Sequence, residues 1–184
     1  ASELNLWSIY QSLNHIKNKN IEGDIVECGV YNGNTLAFIG EINDELNLNK
    51  KIWGYDTFDG FVENSFTDND IDLKTGKKVS YDSPDIFYSL EEVKKNIIKN
   101  NKKNFEKYIL VPGDILETLN FKDNIPNKIS FLRLDTDIYK TTKKQLEILY
   151  EKLVPGGVLH IDDYGICPGV KTAVDNFFYN QDIW

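Results

Sequence analysis

The sequence predicts an α/β fold, with a mostly parallel, doubly wound sheet and helices on both of its faces. Short apolar runs alternate along the chain with segments of helical spacing, and this alternation is typical of parallel sheets. Three runs, at residues 24–29, 51–56 and 108–111, each end in or beside an acidic residue. A strand, helix, strand unit then spans residues 129–164, with a pair of acids after each strand. Ligands bind at the carboxyl ends of such strands, so the acids predict the position of a site.

Length and composition are those of one domain. The 184 residues, 41% of them apolar, suffice for one hydrophobic core, so we expect a single domain over residues 1–184. The net charge of −8 disfavours a nucleic acid or an anionic membrane as partner, and favours a small molecule or a cation. Cys28 and Cys167 indicate no disulfide framework. Without a signal peptide or a membrane-spanning run, the expected location is the cytoplasm.

The first strand and the turn after it predict a cofactor site. A dinucleotide fingerprint needs three glycines near the pyrophosphate, but this turn has only Gly29 and Gly33. S-adenosylmethionine, a nucleoside cofactor without a pyrophosphate, fits better, with its amino acid part near Glu27 and the turn amides. Asp56, at the end of the second strand, would accept hydrogen bonds from the ribose, and Asp114 would border the adenine. Taken alone, the glycine turn could also be a tight strand-to-helix connection.

Four aspartates follow the two strands of the unit at residues 129–164. Asp135 and Asp137 come after its first strand, and Asp162 and Asp163 after its second. If they converge, each ionised pair about 5 Å apart would repel by roughly 3 kcal/mol at an effective dielectric constant near 20. Either some carboxyls are protonated or a cation lies among them. Oxygen ligands without a flanking His or Cys favour Mg²⁺ or Ca²⁺ over Zn²⁺. Each acid alone could cap a helix or face solvent, but two pairs in one unit favour the metal.

The approach to the second strand of this unit has two marked features. Pro155, Gly156 and Gly157 are expected to close the preceding helix. His160 lies two residues before Asp162 and so points to the same face of the strand. A packed or hydrogen-bonded histidine is favoured there over a role in the site.

Two segments lie outside the alternating pattern. Residues 1–20 form an opening helix with Ser2 as its N-cap. Its Trp7 and Tyr10 could pack within the domain or across the interface of a homo-oligomer. Residues 62–89 are polar with scattered aromatics, and a long loop of this kind is typical of a lid or a substrate loop. The aromatics could stack on a sugar or form the core of a folded loop.

Six motifs of the chain occur together in one known family: VECGVYNG, YDTFDGF, LVPGD, LRLDTDIY, VPGGVLHIDDYG and PGVKTAVDNF. With them the sequence resembles the macrocin-type (TylF-like) sugar O-methyltransferases, which depend on S-adenosylmethionine and Mg²⁺. The resemblance runs from Gly23 to Phe178, and LDTDIY with IDDYG is its specific part. It implies a Rossmann-like class I methyltransferase fold. Family members continue through two further strands that form an antiparallel edge, and since this sequence stops at Trp184 we expect a sheet that lacks them.

The resemblance also implies roles for individual residues. Asp135, Asp162 and Asp163 would bind the metal, and Asp137 would be the general base. The acceptor would be a small molecule or a saccharide, methylated on a sugar hydroxyl of a glycoside, nucleotide sugar or polysaccharide. The expected cofactor-binding residues are Glu27, Gly29, Tyr31, Gly33, Asn34, Thr35, Asp56, Thr57, Phe58, Asp114 and Asp135.

Two other functions stay open on the residues alone. LDTDIYKTT resembles the nucleophile strand of Mg²⁺-dependent phosphohydrolases of the haloacid dehalogenase type, although that strand normally begins its domain. A non-catalytic subunit that binds S-adenosylmethionine is the other alternative. Binding of S-adenosylmethionine would exclude the phosphohydrolase, and methyl transfer would exclude the inert subunit.

Overall fold

Five strands cross the part of the chain that the computed structural model describes, which comprises residues 2–70, 87–101 and 104–179. They are β1 (Asp24–Cys28), β2 (Ile52–Asp56), β3 (Tyr108–Pro112), β4 (Ile129–Leu134) and β5 (Leu153–Ile161). Their order across the sheet is β3-β2-β1-β4-β5, and all neighbouring pairs are parallel. The order reverses between β1 and β4, which is the point where doubly wound sheets bind ligands.

Helices cover both faces of this sheet, as predicted. They are α1 (Glu3–Asn18), α2 (Asn34–Glu45), α3 (Leu90–Asn100), α4 (Ile115–Thr118), α5 (Tyr139–Leu149) and α6 (Pro168–Phe178). One hydrophobic cluster joins α1, α2 and α3 to one face, and a second joins α4, α5 and α6 to the other. The predicted α/β class and doubly wound architecture are therefore confirmed.

Alternate residues of the central strands supply the two clusters. Ile25 and Phe131 contribute to the α1–α3 face, whereas Val26 and Leu132 contribute to the α4–α6 face. All four side chains are fully buried. Strands covered on both faces are largely apolar, which is why most residues of β1 and β4 are apolar.

The opening helix packs on the domain with one face. Ser2 is its N-cap, as predicted, and its Oγ accepts a hydrogen bond from the backbone N–H of Asn5. Ile9, Leu13 and Ile16 are buried in the α1–α3 cluster. These three residues form the buried stripe of an amphipathic helix.

Trp7 lies on the outer side of α1. Its side chain is 60% exposed and stacks on Tyr10, with 5.8 Å between the ring centroids. The Trp7 side chain therefore contributes little to the core of its own domain, and its place in a homo-oligomer interface stays a prediction.

Residues 155–157 do not close α5, contrary to the expectation from their proline and glycines. The strand β5 begins at Leu153, before Pro155, and includes all three residues. The pairing of β5 with β4 shifts its register at this point, so these residues bulge out of the ladder. In the described sheet β5 is an edge strand, where the N–H that proline lacks is not needed for pairing.

Two composition-based expectations can be compared with the described residues. None of the helices there is both long and apolar enough to cross a bilayer. Cys28 is buried in β1, Cys167 is partly exposed before α6, and both are free thiols.

Of the predicted lid or substrate loop at residues 62–89, only 62–70 and 87–89 are described, and the rest lies outside the described residues.

Candidate active site

A cavity of about 610 Å³ opens at the carboxyl ends of β1, β2, β3 and β4. This is the sheet edge at which the sequence predicted a site, and the volume is in the range of small-molecule sites. The predicted site residues that line it are Gly29, Tyr31, Asp56, Thr57, Asp114, Asp135 and Asp137.

The other predicted cofactor residues do not line this cavity. Glu27 is fully buried within β1, and Phe58 is 6% exposed and packs in the core. Gly33 is the N-cap of α2, with a φ of 81°, and Asn34 and Thr35 form the first turn of that helix. These residues shape the walls of the site from outside, and their roles toward a cofactor stay predictions.

The carboxylate of Asp56 holds the glycine turn against the end of β2. Its Oδ2 accepts hydrogen bonds from the backbone N–H groups of Val30 and Tyr31, each at 2.8 Å. Its Oδ1 accepts a third from the N–H of Phe58, also at 2.8 Å. Asp56 therefore fixes two neighbouring loops of the cavity, and its predicted contact with a ribose stays a prediction.

The ends of β1 and β3 complete the wall on this side. Gly29 has a φ of 88°, and a side-chain carbon built on it would lie 1.8 Å from the carbonyl oxygen of Asp135. Only glycine allows β1 and β4 to approach so closely there. Asp114 caps α4, with its Oδ1 accepting from the N–H of Leu116 at 2.9 Å.

The predicted metal ligands Asp135, Asp162 and Asp163 are brought together. One carboxylate oxygen of each lies within 4.8 Å of the other two, because β4 and β5 are neighbours. A carboxylate oxygen of Asp137 lies within 4.8 Å of one of Asp163. Burial, and after it the neighbouring carboxyl of Asp137, raise the pKa of Asp163 to about 8. Burial, opposed by Arg133, raises the pKa of Asp135 to about 7.

The chemistry of this acid cluster, Asp135 with Asp162 and Asp163, fits a hard divalent cation. Its donors are all carboxylate oxygens, which suit Mg²⁺, Ca²⁺ or Mn²⁺. The buried Oδ2 of Asp163 has no hydrogen-bond partner among the described residues, and a cation could coordinate it. The thiol of Cys167 lies near Asp137 and Asp163, and burial raises its pKa to about 12. A soft sulfur ligand suits a hard cation less well than the carboxylates do.

Arg133 is a central residue of the site that the sequence reasoning missed. It lies in β4 with a 1% exposed side chain and contacts three carboxylates, those of Glu27, Asp135 and Asp162. Burial acts to lower the pKa of Arg133, but the carboxylates outweigh it and raise this pKa. A signal was present in the sequence, because Glu27 and Arg133 are opposite charges within apolar runs and pair across neighbouring strands.

Asp162 has two further neighbours. Asn5 reaches it from α1 and donates a hydrogen bond from its Nδ2 to Oδ1 of Asp162. His160 Nε2 lies 4.0 Å from the same oxygen, beyond hydrogen-bonding distance. The His160 ring packs edge-on against Phe131, and burial lowers its pKa, which agrees with a packed strand histidine.

Asp70 anchors the described beginning of the predicted loop, and no local sequence pattern pointed to it. Its side chain is 2% exposed, and its Oδ1 accepts from the backbone N–H of Tyr139 at 2.7 Å. Its Oδ2 accepts from the N–H and the hydroxyl of Thr67, at 2.7 and 2.9 Å. Asp70 thus caps α5 two residues after Asp137.

The two described ends of the predicted loop also line the cavity. The ring of Tyr88 meets that of Tyr31 edge-on, with 5.0 Å between centroids. The aromatics expected to stack on a sugar therefore lie partly at the site, although Tyr81 is outside the described residues. The lining residues from these ends are Val62, Ser65, Phe87 and Tyr88.

The sheet order and the cavity at its carboxyl edge define a Rossmann-like methyltransferase fold, and solved structures agree. The structure of the O-methyltransferase NovP matches with a TM-score of 0.84 at 29% identity, over 97% of this chain and 72% of that chain. The calicheamicin methyltransferase CalS11 matches with a TM-score of 0.72 over 94% of this chain and 70% of that chain. At 22% identity, the CalS11 match supports the fold alone.

The chain belongs to the macrocin O-methyltransferase (TylF) family, whose sequence model matches residues 4–184. It is 30% identical to the demethyldecarbamoylnovobiocin O-methyltransferase of Streptomyces niveus, over 97% of this chain and 66% of that protein. It is 29% identical to the mycinamicin III 3''-O-methyltransferase of Micromonospora griseorubida, over 85% of this chain and 61% of that protein. The chain therefore spans less than two thirds of the length of the curated relatives it matches. The family predicted from the motifs is confirmed.

Proposed function

We propose that this protein transfers the methyl group of S-adenosylmethionine to a sugar hydroxyl, with a divalent cation, Mg²⁺ first among them, in the site. The observation that carries the proposal is the position of the acid cluster beside the 610 Å³ cavity at one sheet edge. Membership of the macrocin O-methyltransferase family supports methyl transfer and argues against the phosphohydrolase. A similar protein from Streptomyces olivaceus is named for 4'-O-methylation of a rhamnosyl-bearing tetracenomycin, which supports a sugar as acceptor.

S-adenosylmethionine would occupy the part of the cavity that β1, β2 and β3 border. Asp56 and Asp114 lie at successive strand ends there, where a ribose and an adenine would meet them. Gly29, Tyr31 and Thr57 complete that wall. The acceptor sugar would then bind beside the acids.

Asp135, Asp162 and Asp163 would hold the cation. When bound, it would lower the pKa of the acceptor hydroxyl. Burial raises the pKa of Asp137, but an aspartate is still a weak base toward an alcohol, so this lowering is needed. Asp137 would take the hydroxyl proton on its carboxylate. As the new bond forms between the acceptor oxygen and the methyl carbon, the bond from that carbon to sulfur breaks, and S-adenosylhomocysteine leaves.

The chain's own residues hold Asp137 ready for this role. The backbone of Asp137 has a φ of 61°, an uncommon conformation for a non-glycine residue. This conformation sets the direction in which the side chain leaves the turn after β4. One of its carboxylate oxygens lies within 4.8 Å of one of Asp163, which places it beside the acid cluster. Most of the acceleration should come from orienting the two substrates.

The test is methyl transfer from labelled S-adenosylmethionine to a panel of glycosides, nucleotide sugars and polysaccharides, with Mg²⁺ or with EDTA. Wild-type protein is expected to label a sugar acceptor only with the cation. Asp137→Asn is expected to lose at least about 100-fold in kcat, the usual contribution of a general base. Asp123→Asn, at an exposed site away from the cavity, is the matched control.

Calorimetric titration with S-adenosylmethionine separates the alternatives. Binding that survives in Asp137→Asn while transfer is lost supports the proposed role. Binding without transfer to any acceptor in wild-type protein would favour a non-catalytic subunit. Absence of binding would refute the proposed cosubstrate. The cytoplasmic location and a homo-oligomeric state stay predictions from the sequence, as does the absence of a nucleic acid or membrane partner.

A further inference from the structure

A buried arginine lies under the acid cluster. We propose that Arg133 is a positioning residue that holds the carboxylates of Asp135 and Asp162 in the orientation that binds a divalent cation. This inference rests on the metal site of the proposed function. Arg133 lies in a strand and contacts neither the cavity nor a substrate, yet it should have a measurable effect on cation affinity.

The contacts of Arg133 connect three strands. Its Nη1 donates to Oε1 of Glu27 in β1 at 2.8 Å and to Oδ2 of Asp135, just after β4, at 2.6 Å. Its Nη2 lies 3.2 Å from Oδ2 of Asp162, just after β5. One planar guanidinium therefore fixes one oxygen of each of two cluster acids.

Glu27 holds the guanidinium in place. It is fully buried and is the register partner of Arg133 across β1 and β4. A charge buried this completely needs a partner, and each of the two supplies the other's. Because Glu27 sets its position, the guanidinium of Arg133 presents its N–H groups to Asp135 and Asp162 in a fixed orientation.

The negative charge around the acid cluster exceeds what Arg133 can balance, which favours a bound cation. The carboxyls of Asp135, Asp137, Asp162 and Asp163 surround the site, and the single arginine cannot neutralise them all. Arg133 bonds to Oδ2 of Asp135 and to Oδ2 of Asp162, which leaves Oδ1 of Asp135 available for a ligand, whereas Oδ1 of Asp162 accepts a hydrogen bond from Asn5. The arginine thus reduces repulsion among the acids without occupying the place of the ion.

A purely structural ion pair would behave differently from a positioning residue. Loss of a structural pair lowers stability and leaves cation affinity unchanged. Loss of a residue that orients metal ligands typically weakens metal binding 10- to 100-fold. Cation affinity, measured without cofactor or acceptor, therefore separates the two roles.

The experiment is titration of Mn²⁺ into the apo protein, followed by electron paramagnetic resonance, with urea unfolding as the stability measurement. Arg133→Lys keeps the positive charge but lacks the fork that reaches two carboxylates, so its dissociation constant for Mn²⁺ is expected to rise at least tenfold. Lys107→Gln is the matched control. It breaks a partly buried ion pair with Asp44 at 3.0 Å, away from the acids, and should change stability alone.

Glu27→Gln is the second variant, and it decides the matter if Arg133→Lys does not fold. It removes the charge that anchors Arg133, and Mn²⁺ affinity is again expected to fall about tenfold. Wild-type affinity in the folded variants would overturn the positioning role while leaving the metal site intact. Failure of wild-type protein to bind Mn²⁺ would instead remove the metal from the proposed function, and this inference with it.

Discussion

Three non-glycine residues with left-handed backbone lie around the cavity: Tyr31, Phe58 and Asp137, with φ values of 52°, 55° and 61°. The conformation costs about 1–2 kcal/mol for an ordinary side chain. Asp56 offsets this for two of them, because it accepts hydrogen bonds from the N–H groups of Tyr31 and Phe58. The strain and the contacts that maintain it are thus concentrated at the site.

Gly29 is the residue at which a single added carbon is expected to disturb the site most directly. Gly29→Ala would place its Cβ against the Asp135 carbonyl at a positive φ, so the free energy of unfolding should fall by at least about 2 kcal/mol. Gly165→Ala is the control, since nothing lies within 4 Å of a Cβ there. Urea unfolding measures both. Equal stability of the two variants would show that β1 and β4 can separate at little cost.

At the residue scale, the sequence predicted the acids at the strand ends but not what holds them. Asp135, Asp162 and Asp163 follow apolar runs, and strand adjacency alone brings them together. Arg133 could have been found only by treating its charge, and that of Glu27, as an anomaly in a buried strand. Asp70 carries no such signal, because its role depends on a fold of the loop that no local pattern specifies.

Helix α5 begins without a side-chain cap of its own. The side chain of its N-cap residue, Ile138, cannot accept a hydrogen bond, and Asp70 supplies the acceptor from the loop at residues 62–70. The loop that lines the cavity is thereby joined to the helix that follows Asp137. The start of α5 and the substrate side of the cavity should respond together to changes in Asp70.

Asp70→Ala is expected to lower the free energy of unfolding by about 1–3 kcal/mol, because it leaves buried donors without an acceptor. It should also lower kcat, since the freed N–H of Tyr139 lies two residues after Asp137. Asp70→Asn keeps one acceptor oxygen, so its free energy of unfolding and its kcat should lie between those of Asp70→Ala and wild type. Asp123→Ala, at an exposed aspartate, should change stability by less than about 0.5 kcal/mol. A drop in stability with full kcat would mean that the cap does not position Asp137.

At the element scale, the strands and helices followed from the alternation of patterns, and one expectation failed. Residues 155–157 were expected to end α5 because proline and glycine interrupt helices. They lie in β5 because an edge strand accommodates a bulge, and whether a strand is at the edge is a property of the whole sheet. Local composition cannot supply that information.

Across the whole molecule, the topology concentrates acidic side chains at one edge of a chain that already carries a net charge of −8. Within the described residues the buried counter-charge at this edge is Arg133. Buried oxygens of Glu27 and Asp163 have no hydrogen-bond partner there. Such features lower stability, and they are expected where a fold is arranged for binding.

A cation bound at the acid cluster should therefore stabilise the whole molecule, because a ligand that binds only the folded state shifts the unfolding equilibrium. At 100 times its dissociation constant, Mn²⁺ should add about 2.7 kcal/mol, which raises the unfolding midpoint by about 5–11 °C for a domain of this size. Calorimetry against NaCl of equal ionic strength measures the effect. Asp163→Asn should lose most of this rise, yet in EDTA it should be at least as stable as wild type, because it removes one of the crowded acids. An equal rise in the variant would place the bound ions elsewhere on the acidic surface.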